Sequence, residues 1–230
     1  MKGGGRYIKD IVYGANDGVI TTFAIIAGVA GANIADPRAT IILLGIANVL
    51  ADGFSMASSN YLGSKSERDV VRREYRDEEQ EIKEDPDGER DEMTQLLREE
   101  GYADADAKAL SHLMLKNKSF FADLLMHEEF DVSNHDRGPI ITGSLLTFVA
   151  FVCAGMLPIL PFLVFSNITH VFLYSVVSTG TAFFVLGALR SLITKRSFII
   201  SGFEMLFIGG LAATIAYGVG AFLRSAVGAF

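Results

Sequence analysis

Carboxylates and thioethers in two settings carry the chemistry of this chain. The first setting is an acidic run from Glu74 to Glu92. Glu74, Glu78 and Glu81 fall at i, i+4 and i+7, so a helix carries all three on one face. Asp85 and Pro86 read as N-cap and first position of a second helix, with Glu89 and Glu92 about one turn apart on it. Two helices joined by so tight a turn can aim both pairs of carboxylates at one centre, and a bound cation relieves their repulsion. The run is equally open to a plainer reading, a solvated surface laced with ion pairs. Arg72, Arg73, Arg76, Lys83 and Arg90 are interleaved with the acids.

The second setting is apolar. Asp10 and Asp17 are seven residues apart and share a face of one helix, while Asn48, Asp52 and Met56 follow at i, i+4 and i+8 on another. Carboxylate, amide and thioether in one stripe describe a path for a transition-metal ion. Oxygen ligands alone serve calcium or magnesium, whereas sulfur favours iron, manganese, cobalt or zinc. Protonatable carboxylates on the same path allow metal passage to be coupled to proton exchange. Each residue also has a structural alternative: a hydrated interfacial position for Asp10, helix-packing hydrogen bonds for Asp17 and Asp52, space filling for Met56. Glu204 is a further candidate, as a proton or metal ligand or as a snorkelling end residue.

Those stripes need apolar surroundings, and charge segregation supplies them. Residues 65–137 hold 12 Lys/Arg against 22 Asp/Glu, a net of −10, while the other 157 residues hold 8 against 5, a net of +3. A positive mean hydropathy beside a fifth of residues charged then means a membrane protein with one acidic insert. That acidity excludes nucleic acid as a partner, since phosphate contacts need clustered Lys/Arg. The lone Cys153 excludes a disulfide framework and a cysteine zinc site, and is expected as a small core residue. No secretory signal is expected at the basic N-terminus, because Asn16 and Asp17 interrupt the apolar segment behind it.

Five apolar stretches, approximately 11–32, 40–62, 139–161, 167–189 and 198–222, reach the roughly 20 residues that a bilayer crossing needs. The expected fold is therefore all-α and polytopic, with five transmembrane helices and a cytoplasmic helical metal-binding insert between helices two and three. Its parts are transmembrane helices one and two in 1–64, the insert in 65–137, and transmembrane helices three to five in 138–230. Gly14-x3-Gly18, Gly28-x2-Gly31 and Gly209/Gly210 suit close helix packing in lipid. Lys2, Arg6, Lys9, Arg190, Lys195 and Arg196 place the N-terminus, the insert and the 190–196 loop in the cytoplasm.

Span two meets no proline before Pro86, which predicts one helix continuing out of the membrane as a stalk. Beyond Pro86 the insert is expected to hold a helix ending at Gly101, another over about Ala103–Lys116, and a last one capped by Ser119. The segment DVSNHDRGP reads as a hinge back to the membrane. No Glu-x-x-His pair marks a di-iron bundle, and His112, His127, His135 and His170 suggest no site. Phosphate loops, dinucleotide fingerprints and nucleophile–base pairs are absent from the sequence, which reads as no enzyme and as needing no cofactor.

Over nearly its whole length the chain resembles the vacuolar iron transporter family. DIVYGANDGVITTFAIIAGVAGA is similar to that family's first span, and ADGFSMASSNYLGSKSE resembles its Ser-Met … Tyr-Leu segment running into a charged helix. Glu78, Glu81, Glu89 and Glu92 reproduce the three–eight–three spacing of the family's cytoplasmic metal-binding domain. The family's Met-Met-x-x-Glu ending reads Leu125, Met126, His127, Glu128, Glu129 here, so Met126 and Glu129 match and Leu125 does not.

The resemblance implies a homodimeric exporter of ferrous iron or manganese from the cytoplasm in exchange for protons. Asp17 and Met56 fall on positions the family uses in transport, and Asp10 on a nearby acidic one. Glu78, Glu81, Glu89, Glu92, Met126 and Glu129 would then gather metal in the insert, with Asp52 lining the transmembrane path. Leu125, Asp52 and Asn60 depart from the family, the first two making the sites less soft, the third standing where many members carry Glu. Two rival readings remain: a membrane-tethered metal buffer or sensor without transport, and a ferritin-like ferroxidase on a membrane stem. A cell membrane suits so compact a chain, with a vacuole-like organelle as the alternative, and the expected partners are metal ions, protons and lipid.

Overall fold

The structure, a computed structural model, describes residues 7–130, 139–165 and 168–227; the side chains of 127–130, 168–169, 192–194 and 227 lie outside that description. All regular structure among the described residues is helical, in the order α1 (Ile8–Ala32), α2 (Pro37–Glu84), α3 (Pro86–Glu99), α4 (Asp104–Met114), α5 (Lys118–Phe130), α6 (Ile140–Val164), α7 (Ile168–Thr194) and α8 (Phe198–Val227). Helices α1, α2, α6, α7 and α8 are long and apolar enough to cross a bilayer. The chain divides into two units: Met1–Tyr61 with Ile140–Phe230, and Leu62–Pro139.

In the five-helix unit α1 is the hub, and its glycines show why. A Cβ on Gly14 would stand 2.5 Å from the Thr147 carbonyl oxygen of α6, and one on Gly18 would collide with the carbonyl of Phe151 one turn on. Toward its other end Gly31 lies against Tyr217 and Ala221 of α8, and Gly220 against the Gly28 carbonyl. Lipid supplies no hydrophobic force between helices, so this close backbone approach is what holds them. Phe23, Ile26, Ile41, Val49, Ile159, Phe162 and Val171 fill one core, and Ala15, Val19, Ala154, Ala182, Phe183 and Met205 another. Of the apolar window of α1 and of α6, 44% is buried, against 22% for α2 and 11% for α8. The latter two are therefore the outer helices, with Leu43, Leu50 and Phe54 of α2 and Phe203, Phe207 and Ile215 of α8 exposed. Cys153, expected in a core, is instead exposed.

Local signals set the helix ends. Asp36-Pro37 opens α2, where Asp36 Oδ1 accepts from the Ala39 N–H at 3.1 Å. Arg38 at that end donates to the Phe162 carbonyl of α6 at 3.0 Å. Pro158 and Pro161 lie inside α6. Pro161 has no N–H to give the Leu157 carbonyl, and the Ser178 hydroxyl of α7 donates there instead at 3.3 Å.

The insert unit begins within α2, whose 48 residues are more than twice what a bilayer crossing takes. Asp85 interrupts it: its side chain caps α3 by accepting from Gly88 N–H at 3.0 Å, and Pro86 occupies the first helical position. Gly101, at φ 97, lies just beyond α3, in the left-handed region that favours glycine. Ile82, Met93, Leu97, Ala107, Phe121, Ala122 and Leu125 form the insert core. Asn117, rather than the expected Ser119, caps α5 by accepting from the Phe120 N–H at 3.3 Å; Ser119 lies inside that helix. The predicted hinge from Asp131 onward falls on residues outside the description.

Candidate metal path and acidic site

In the five-helix unit two of the intramembrane carboxylates lie within electrostatic reach of one another. Asp17 of α1 lies close enough to Asp52 of α2 for their charges to interact. Both are half-buried, as is Met56, which follows Asp52 by one helical turn. Asn16 Oδ1 beside Asp17, and Asn48 Nδ2 one turn before Asp52, are buried with no hydrogen-bond partner among the described residues. So is Thr22 Oγ1, which faces Gly155 of α6 beside a methyl of Val49. Polar atoms left unsatisfied in hydrocarbon are costly, so this region between α1 and α2 suits a polar guest better than lipid.

Asp10 is engaged differently. Its Oδ1 accepts from the Asn60 amide nitrogen at 3.0 Å, and the same nitrogen donates to Thr147 Oγ1 at 2.8 Å. Reading the sequence alone gives Asn60 only as a departure from a family pattern and misses Thr147 altogether, because nothing in the spacing connects α2 with α6. Glu204, the remaining intramembrane acid considered, is exposed on α8 and faces Arg190 at 3.7 Å.

In the insert, Glu78 of α2 is only 8% exposed, Glu89 of α3 is half-buried, and Glu81 and Glu92 are exposed. Glu89 hydrogen-bonds Glu78, and the charges of Glu92, Glu81 and Asp85 act on it. Burial first, then the neighbouring charges of Glu92 and Glu81, raise its carboxyl above the ordinary glutamate range, while the bond to Glu78 works against the rise. Several basic residues are paired with other acids: Arg90 with Asp87 at 2.6 Å and Asp91 at 3.1 Å, Arg73 with Glu74 at 2.5 Å, Lys108 with Asp104 at 2.9 Å, and Arg98 with Asp104 as well. The surface is thus partly the salt-bridged one of the plainer reading, yet these pairs leave the Glu89 neighbourhood acidic.

Met126 is buried on α5, Leu125 packs in the insert core, and the Glu129 side chain lies outside the described residues. Among the described residues no three His, Cys, Asp or Glu side chains approach closely enough to hold one ion. The arrangement is a set of neighbouring acids, and a cation binding there would have to draw the side chains inward.

Five bilayer-length helices with paired acids among them, joined to a helical acidic unit, define a polytopic membrane protein of the ion-handling kind. The VIT family model matches residues 8–221, and the chain belongs to the VIT family. It is 33% identical to the vacuolar iron transporter of Toxoplasma gondii over 97% of this chain and 76% of that protein. Over 95% of this chain and 82% of the relative it is 31% identical to the vacuolar iron transporter of Plasmodium falciparum. With vacuolar iron transporter 1 of Arabidopsis thaliana the identity is 30%, over 93% of this chain and 84% of the relative. These relatives are named as transporters, and the family is not an enzymatic one.

Proposed function

We propose that this protein carries divalent transition metal, Fe²⁺ and also Mn²⁺, out of the cytoplasm in exchange for protons. The observation that carries this reading is the approach of Asp17 to Asp52 on helices that cross the membrane, with Met56 one turn beyond. Two acids in an apolar unit repel unless a proton or a cation lies between them, and exchanging one for the other is antiport. Thioether sulfur on the same helix face favours a borderline ion over calcium or magnesium. Names of the relatives support iron as the cargo.

In this reading Asp10, Asp17, Asp52 and Met56 line the path. Glu78, Glu81, Glu89, Glu92, Met126 and Glu129 collect metal in a cytoplasmic insert, with the metal as cargo rather than cofactor. The protein works as a homodimer in the cell membrane or in a vacuole-like organelle. The test is Fe²⁺ flux into sealed vesicles carrying the purified protein and a pH dye. Flux that follows the proton gradient and is lost in Asp17→Ala and Met56→Ala supports transport. Metal binding without flux would instead make the protein a tethered buffer.

A further inference from the structure

Asn60 makes a polar junction of three helices. Its amide nitrogen on α2 donates to Asp10 Oδ1 of α1 at 3.0 Å and to Thr147 Oγ1 of α6 at 2.8 Å. The fully buried Thr147 hydroxyl spends its own proton on the Gly143 carbonyl at 3.1 Å, so toward Asn60 it can only accept. That fixes which end of the amide faces the junction: the nitrogen, not the oxygen. Asp10 Oδ1 is therefore held as an acceptor. Its other oxygen, Oδ2, rests over Gly143, where a Cβ would stand 2.8 Å away, so any larger residue there would make the carboxylate shift.

Between Asn60 and the opposite end of the span, where Arg38 donates to the Phe162 carbonyl, α2 packs on the bundle mainly through apolar contacts: Gly45 against Ile159, Gly53 against Phe148 and Phe151, and Val49 in the core. A hydrogen-bonded tie at one end of a lightly buried helix fixes that end by direction as well as by distance.

From this geometry we infer that Asn60 is a positioning residue that competes with the transported cation for Asp10 and so speeds its release. The inference rests on the transport reading above. A cation reaching Asp10 must take a carboxylate that already accepts a hydrogen bond; when the cation moves on, the amide recaptures the oxygen. Asn60 thus shortens the stay of the metal without ligating it.

The experiment is Fe²⁺ flux into proteoliposomes, kept anaerobic, for the parent protein, Asn60→Leu and Thr147→Val. Asn60→Leu keeps the size and removes both donations. KM for Fe²⁺ is expected to fall about tenfold, the scale of one hydrogen bond to a charged group, and Vmax to fall with it as release slows. A purely structural loss would lower Vmax and leave KM alone. Thr147→Val, which leaves the Asp10 bond but removes what orients the amide, shifts both in the same direction by less. If Asn60→Leu is not recovered folded, Asn60→Ala is read by the same rule. Parent flux with KM unchanged or raised in the Asn60 variant overturns the inference and leaves the transport reading standing. No flux from the parent overturns the transport reading itself.

Discussion

Glu78 at the end of α2 and Glu89 at the start of α3 hydrogen-bond each other across the one-residue turn at Asp85. Two carboxyl groups bond in this way only when one of them carries a proton. On the transport reading, a cation binding between Glu78 and Glu89 would have to displace that shared proton. Full-length protein in weakly buffered detergent solution should release about one proton for each Fe²⁺ or Mn²⁺ bound in the insert. Replacing both residues, Glu78→Ala with Glu89→Ala, should abolish that release and weaken binding by at least tenfold, a loss of about 1.4 kcal/mol. Calorimetry showing unchanged affinity in the double variant sinks the assignment of this site.

Glu89 also makes the insert sensitive to pH. Burial, helped by the charges of Glu92 and Glu81, raises its pKa in the folded state. A raised carboxyl favours the folded chain while protonated: that contribution is full below the ordinary glutamate pKa of about 4.3 and is lost as pH rises through the raised value. Asp104 runs the other way, lowered mainly by its bond to Lys108, but it is solvent-exposed and its effect is screened. Amide exchange in α3 of the metal-free protein is therefore expected to be slower at pH 5 than at pH 7, beyond the intrinsic pH dependence of exchange. Glu89→Gln should flatten the difference. Metal added at pH 7 should restore protection, and at pH 5 should do less, because protons hold the site.

The helices were legible in the sequence where the signal is local. Asp85-Pro86 marks a cap and a first helical turn, Gly101 a left-handed stop, and unbroken apolar runs the membrane spans. Gly14, Gly18 and Gly31 mark close approach for the same reason, since only a residue without Cβ lets backbone carbonyls come so near. Partners across helices were not legible. Spacing places Asp10 on a face, but Asn60 and Thr147 lie 50 and 87 residues from their contacts there, and only packing brings them together. Ser119 against Asn117 shows the limit at close range: both residues can cap α5, and the fold uses the one whose oxygen reaches the Phe120 N–H.

Within the membrane the ligand types should be separable by metal. Asp17→Asn removes a charge that faces Asp52, and both Fe²⁺ and Mn²⁺ flux should fall by at least about tenfold, the loss of one charge-assisted contact. Met56→Ala removes the one soft donor on that face of α2, so Fe²⁺ should suffer more than Mn²⁺, the harder ion. Asp52→Met, which softens the path, should shift the preference the opposite way, toward Fe²⁺. Competition of the two metals in vesicles reads all three variants, and equal losses for both metals in Met56→Ala would remove sulfur from the path.

Packing of α1 on α6 allows a sharper test, because it depends on atoms that are missing. Gly14→Val would put a Cβ 2.5 Å from the Thr147 carbonyl oxygen, a backbone atom that cannot turn aside. The two helices would have to separate, at a cost of roughly 1–3 kcal/mol for overpacking. Separation would also draw Thr147 away from Asn60, so flux should fall further than the loss of folded protein explains. Gly210 is the control: a Cβ there meets nothing within 4 Å among the described residues, and Gly210→Ala in the interior of α8 should stabilise by roughly 0.5–1 kcal/mol. Thermal unfolding in detergent, followed by size exclusion, ranks the three proteins. An unaltered midpoint for Gly14→Val would mean that the α1–α6 contact is looser than the positions of Gly14 and Thr147 require.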